Sequence, residues 1–136
     1  MSAKKFEPGQ FKLLVKRAKA GLGLFAGENI PKGACLIEYV GRVLSTEEQY
    51  SSRSKYLFEI NSRVTIDGQA RSNKARYINH SCRPNAEPEI RRGRIFIMSL
   101  RDIQLGEEIT YDYGEEYFNE HIGQNCRCHH CQKTKV

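Results

Sequence analysis

Three cysteines crowd six residues near the end of the chain, in Cys126-Arg127-Cys128-His129-His130-Cys131. Thiolates this close repel one another unless a cation neutralises them, and a zinc ion with four tetrahedral ligands does so. The plain alternative is three unpaired surface thiols. The tail supplies three cysteines, so a fourth ligand must come from Cys82, Cys35, His121, His129 or His130. A second concentration of chemistry is Arg76-Tyr77-Ile78-Asn79-His80-Ser81-Cys82-Arg83-Pro84-Asn85, set between two apolar stretches. Ordinary polar loops rarely combine these side chains in one run. A third is Gly106-Glu107-Glu108-Ile109-Thr110-Tyr111-Asp112-Tyr113-Gly114. On a strand, residues two apart share a face, so Tyr111 and Tyr113 could line a narrow polar channel or be two core aromatics. Gly21-Leu22-Gly23 either lets backbone approach a ligand closely or makes a tight turn. It is not a dinucleotide fingerprint, because Ala26 stands where a third glycine belongs and no long helix follows. Glu38-Tyr39-Val40-Gly41 by itself marks only a strand end.

The elements that position these residues must fit in 136 residues, the size of one domain. Hydrophobic residues at 39% and charged residues at 28% describe a globular chain that buries a core without covalent help. No apolar run approaches the ~20 residues of a membrane span. The start, Met1-Ser2-Ala3-Lys4-Lys5, is basic but leads into no apolar stretch, so no secretory leader is read and an intracellular, reducing setting is expected. There, clustered cysteines point to metal rather than to disulfides. The net charge of +6 suits a nucleic-acid, acidic or chromatin-like partner, or simply a solvated basic surface. The basic clusters do not alternate with aromatics, which argues against a single-strand stacking platform.

The pattern predicts many short strands and few helices, which excludes a doubly wound nucleotide-binding sheet. Strands are expected at Phe11 to Val15, Leu22 to Ala26, Cys35 to Leu44, Tyr56 to Ile60, Val64 to Ile66, Ala86 to Ile90, Ile95 to Leu100 and Glu108 to Tyr113. Pro31-Lys32-Gly33 marks a turn, and Arg91-Arg92-Gly93-Arg94 a hairpin. Ser45-Thr46-Glu47-Glu48 reads as a capping box opening a short helix. Asn73 is expected to cap another, running through Ala75 to Ile78.

In this order, Gly21-Leu22-Gly23, Glu38-Tyr39-Val40-Gly41, Asn79-His80-Ser81-Cys82-Arg83-Pro84-Asn85, Gly106 to Tyr113 and the terminal cysteines resemble SET-domain protein lysine methyltransferases. The resemblance covers about residues 11 to 131. It implies a mainly β fold of small curved sheets with few short helices. A pseudoknot tucks the Asn79–Asn85 segment beneath that of Gly106–Tyr113. It also implies an N-terminal extension over 1–10, a SET domain over 11–114 and a zinc-binding post-SET tail over 115–136.

By the same resemblance, the backbone of Gly21, Leu22 and Gly23 would meet the methionine part of S-adenosylmethionine. Asn79 and His80 would hold the cofactor through backbone groups and the Asn amide, and Phe118 would cover the adenine. Tyr113 matches the catalytic tyrosine and also borders the cofactor. Tyr111 matches the position that tunes how many methyl groups are added, its hydroxyl favouring fewer. Tyr39 matches a tyrosine lining the channel. Cys126, Cys128 and Cys131 with Cys82 would bind the zinc. The family usually has a four-residue gap before its last cysteine, whereas only His129-His130 separate Cys128 from Cys131. That departure keeps a histidine ligand as the alternative. Cys35 is read as core.

The substrate implied is a protein with a lysine in an extended segment, such as a histone tail or another DNA-associated protein. No membrane or direct nucleic-acid contact is required, and the setting is nuclear, chromosome-associated or cytoplasmic. Glu107, Glu108, Glu115 and Glu116 offer a local acidic patch for a basic tail. The acceptor amine must be neutral, and with a lysine pKa near ~10.4 deprotonation at pH 7 costs roughly 4–5 kcal/mol. Desolvation in an apolar channel and a nearby sulfonium charge both lower that pKa. The competing expectation is a SET-fold module that has lost activity and docks on a basic tail or nucleic acid.

Overall fold

A computed structural model of the chain describes residues 6–19, 21–61 and 63–114. Phe118, Cys126, Cys128, Cys131, His129, His130, Glu115 and Glu116 lie outside the described residues. In chain order the elements are β1 (Leu13–Ala18), β2 (Gly21–Ala26), β3 (Cys35–Tyr39), β4 (Arg42–Val43), α1 (Thr46–Ser51), β5 (Leu57–Glu59), β6 (Thr65–Asp67), a 3₁₀ turn (Lys74–Tyr77), β7 (Asn79–His80), β8 (Ala86–Arg91), β9 (Arg94–Ser99) and β10 (Glu108–Tyr111). They form three small sheets with strand orders β1-β2-β10-β7, β3-β9-β8 and β4-β6-β5. The expected mainly β architecture is what the chain adopts. No helix among the described residues is long and apolar enough to cross a membrane.

The core follows from the apolar runs. β9 lies between β3 and β8, and Ile95, Phe96, Ile97, Met98 and Ser99 are all buried. A central strand covered on both faces needs apolar residues consecutively rather than alternately. Ile95 and Ile97 join Leu24, Leu36, Tyr39, Ile78, Ile109 and Tyr111 in the main core, while Phe96 and Met98 meet Cys35 on the other side with Phe6 packed against them. Burial pushes the Cys35 thiol up to about 11, with Glu38 adding to the effect. Cys35 is thus an inert core residue, as its apolar strand implied. The β8–β9 hairpin turns on Arg92 and Gly93, both at positive φ, the geometry that suits the twist of two-residue hairpins.

Local signals hold in one case and yield to tertiary contacts in others. The capping box is complete: Ser45 Oγ accepts from the Glu48 amide, and Glu48 accepts from the Ser45 amide. The single strand expected over Cys35 to Leu44 is instead broken after Tyr39. A Cβ at Gly41 would stand 2.1 Å from the Asp67 carbonyl oxygen. Two backbones therefore cross closely there, and the chain leaves one sheet to pair with β6 in another. The helix expected after Asn73 is a 3₁₀ turn, and Asn73 does not cap it through its side chain. Its buried amide instead accepts from the Val40 amide at 3.1 Å and donates to the Gly68 carbonyl at 2.9 Å, tying three loops together. The last strand ends at Tyr111, short of Tyr113.

Candidate active site

The site is assembled by a parallel pairing of β7 with β10, which sets Asn79 beside Thr110 and His80 beside Tyr111. Side chains and backbone lace the two segments together. The Ser81 amide donates to the Tyr111 carbonyl at 3.1 Å. Buried Asn85 donates to the Glu108 carbonyl at 2.8 Å and accepts from the Thr110 amide at 2.9 Å. A buried primary amide is stable only when its donors and acceptor find partners, and Asn85 uses both ends of its amide across the junction. This interlacing brings together two motifs that the sequence keeps apart.

Two phenols have their protons committed to main-chain carbonyls, one of them beside this junction. Tyr113 donates to the Ile78 carbonyl, and its amide donates to His80 Nδ1 at 3.1 Å. Tyr39, on β3, donates to the Tyr56 carbonyl at 2.7 Å, and its ring lies 5.4 Å from that of Phe58. Tyr111 is buried with its ring centroid 5.1 Å from that of Tyr113. Tyr111 and Tyr113 are neighbours although Tyr113 lies past the strand end, because its hydroxyl and amide are both held. A phenol that donates to a carbonyl keeps oxygen lone pairs that can accept further contacts.

Gly21, Leu22 and Gly23 lie within β2 rather than in a tight turn. The Asn79 amide nitrogen donates to the Leu22 carbonyl at 3.0 Å and to Glu108 Oε2 at 2.8 Å. At Gly23 an added Cβ would lie 2.6 Å from Glu108 Oε2 and 3.2 Å from Asn79 Nδ2, so a side chain there would disturb the pair. Gly21 and Leu22 are exposed. The result is open backbone beside a carboxylate whose position is fixed by Asn79.

His80 is turned inward. Because its Nδ1 accepts from the Tyr113 amide, the neutral ring carries its proton on Nε2, which lies 3.4 Å from Cys82 Sγ. Burial holds the imidazole below its ordinary value, while Asp112, 3.7 Å away, acts in the opposite direction. Cys82 is exposed. Among the described residues no three histidines, cysteines or carboxylates gather as a metal site.

The acidic patch is only partly available as expected. Glu107 forms an ion pair with Arg101 at 3.0 Å, and Glu108 is engaged by Asn79. Sequence reasoning missed Glu108 as the partner of Asn79, Asn85 as the lock of the junction, and Tyr56 as the anchor of Tyr39. Asn85 lay inside the motif and signalled its importance there; the partners of Asn79 and Tyr39 are set by strand pairing and have no local signal.

With this geometry in place, similarity to known proteins becomes informative. A sequence profile of the SET domain matches residues 21–114. The chain is 39% identical over 120 residues to histone-lysine N-methyltransferase trr of Drosophila melanogaster, covering 79% of this chain and 5% of that protein. It is 36% identical over 120 residues to histone-lysine N-methyltransferase 2D of Homo sapiens, covering 79% of this chain and 2% of that protein. A crystal structure of KRYPTONITE in complex with mCHG DNA and SAH superposes with a TM-score of 0.67 at 35% identity, covering 78% of this chain and 24% of that one. The chain thus spans a small part of the length of each of these relatives.

Proposed function

The chain belongs to the SET-domain family, and from that premise we propose that it is an S-adenosylmethionine-dependent protein-lysine N-methyltransferase. The observation that carries the proposal is that the phenol protons of Tyr113 and Tyr39 are each tied to a main-chain carbonyl, with Tyr111 packed against Tyr113 and Tyr39 in the same core. Phenol oxygens held this way accept weak C–H contacts and align a small polarised group without taking a proton from it. Tyr113 is the catalytic tyrosine. Tyr39 lines the channel for the lysine, and Tyr111 limits the room left for a methylated amine.

The chain's residues fit the cofactor. Exposed backbone at Gly21 and Leu22, the neighbouring buried Gly23, the Asn79 amide and the His80 main chain would hold it, with Phe118 over its adenine. The Glu108 carboxylate beside this backbone suits a cationic ligand. When bound, S-adenosylmethionine supplies a sulfonium methyl group for a neutral amine. The protein's part is to desolvate the lysine, hold its nitrogen in line and exclude water.

The finer assignments belong to the same proposal. Zinc is held by Cys82, Cys126, Cys128 and Cys131, with His129 or His130 the alternative to one cysteine. The Nε2–H of His80 aimed at Cys82 Sγ favours the thiolate form that a metal requires. The substrate is a lysine in an extended segment of a histone tail or another DNA-associated protein, and the protein works in the nucleus on chromatin. Both relatives named above are histone-lysine N-methyltransferases. The test is to incubate the protein with labelled S-adenosylmethionine and a cell extract, then hydrolyse the labelled protein. Recovery of Nε-methyllysine is expected. Cofactor binding without methyllysine would leave a docking module and overturn the proposal. Metal analysis of Cys82→Ser checks the zinc set, since undiminished zinc would rule out Cys82 as a ligand.

A further inference from the structure

Arg76 is a half-buried cation with aromatic rather than acidic neighbours. Its guanidinium carbon lies 4.3 Å from the ring centroid of Tyr56 and 5.2 Å from that of Tyr77. Its Nε is buried with no hydrogen-bond partner among the described residues. The ion pairs among those residues do not include it. Burial opposes its charge, but the phenols of Tyr56 and Tyr77 outweigh burial and hold its ionisation above the ordinary value. A guanidinium in such a place is costly unless the rings that face it compensate, so two stacked tyrosines are a specific arrangement.

Its position gives the arrangement a purpose. The hydroxyl of Tyr39 is held by the carbonyl of Tyr56, the residue whose ring Arg76 covers. The hydroxyl of Tyr113 is held by the carbonyl of Ile78, the residue after Tyr77, which Arg76 also covers. The two anchors come from different parts of the chain, one before β5 and one after the 3₁₀ turn. The Gly68 amide also donates to the Tyr56 carbonyl at 2.9 Å, and Gly68 in turn is fixed by Asn73. Arg76 therefore joins the segment that aims Tyr39 to the segment that aims Tyr113.

We propose that Arg76 is a positioning residue for methyl transfer: by clamping Tyr56 and Tyr77, it sets the spacing of the Tyr39 and Tyr113 oxygens. It touches neither substrate nor cofactor and acts through the two carbonyls. The proposal rests on the methyltransferase assignment above. It also explains why a cation is tolerated where no carboxylate meets it.

The test compares Arg76→Met, Arg76→Lys and Tyr56→Leu with the wild-type protein. Tyr56→Leu removes the ring beneath the guanidinium while keeping the carbonyl that Tyr39 uses, and serves if Arg76→Met does not fold. Arg76→Met and Tyr56→Leu are each expected to lower kcat by about tenfold or more, with Arg76→Lys between them and wild type. S-adenosylhomocysteine affinity should stay within about threefold, because Leu22, Asn79 and Glu108 are untouched. In a double-mutant cycle, Tyr39→Phe should cost at least about threefold less in the Arg76→Met background than in wild type. In the ligand-free protein, the ring signals of isotope-labelled Tyr39 and Tyr113 should both shift in Arg76→Met. Unmoved ring signals, additive effects, or equal losses in kcat and cofactor affinity would overturn the proposal. A wild-type protein that transfers no methyl group would instead sink the methyltransferase assignment.

Discussion

Replacing Tyr113 with phenylalanine removes one oxygen and leaves the ring against Tyr111 and His80. The lost hydrogen bond runs to the Ile78 carbonyl. A bond of this kind contributes about 0.5–1.5 kcal/mol net. A domain of this size has a stability of about 5–15 kcal/mol, so even the least favourable case leaves above ~99% of the chain folded at 25 °C. The melting temperature should fall by about 2–6 °C. Unfolding therefore accounts for at most ~1% of any loss in rate. The catalytic consequence is much larger, because the same oxygen is the acceptor proposed to align the transferred group. We expect kcat to fall at least about a hundredfold, equivalent to ~2.7 kcal/mol of barrier. S-adenosylhomocysteine affinity should weaken by no more than about tenfold, since Asn79, Leu22 and Glu108 keep their contacts. Initial rates with saturating substrate, calorimetric titration and a thermal melt separate the three quantities. A folded Tyr113→Phe protein turning over within about threefold of wild type would refute the role given to this hydroxyl.

Tyr111→Phe vacates space beside Tyr113 and should raise the share of di- and trimethyllysine; an unchanged product distribution by mass spectrometry would contradict it. Gly23→Ala pushes a methyl group against Glu108 and Asn79 and should raise the Kd for S-adenosylhomocysteine by about tenfold, ~1.4 kcal/mol, whereas wild-type affinity would show that this corner is not the cofactor's. The rate should climb on the alkaline side of neutrality, because the acceptor lysine must lose a proton, and a flat profile would argue against that control. Glu107 is disfavoured as an anion by burial, but Arg101 and the Gln104 amide outweigh this and hold its carboxyl below the usual range. Its contribution to stability is therefore full above the unfolded value near ~4.3 and lost as the pH falls through the folded one. Glu107→Gln should flatten the fall of melting temperature between about pH 5 and pH 3, and an unaltered slope would count against the pair.

What the sequence made legible was local or dense. The Ser45–Glu48 capping box needs only four consecutive residues, and it formed as read. The Arg91–Arg94 hairpin joins two strands that pair in register. The run Asn79–Asn85 announced itself by composition. What stayed hidden depends on distant partners. Gly41 breaks a strand because the backbone of Asp67 lies against it. Asn73 looked like a cap, yet its amide finds a better acceptor and donor in loops up to 33 residues away. Tyr113 leaves its strand and still meets Tyr111, because His80 and Ile78 hold its backbone and hydroxyl. Arg76 opened the Arg76–Asn85 run, but its role carried no local signal, since the nearer of its two rings belongs to Tyr56, on another segment of the chain.

The most direct test uses the purified protein, S-adenosylmethionine and a histone-tail peptide bearing one lysine, alongside the same peptide with arginine in its place. The S-adenosylhomocysteine formed and the Nε-methyllysine formed are counted together. One S-adenosylhomocysteine for each methyl group found on the lysine peptide, and neither product with the arginine peptide, are predicted. S-adenosylhomocysteine accumulating without methyllysine, or a methyl group found on any other side chain, would contradict the central claim.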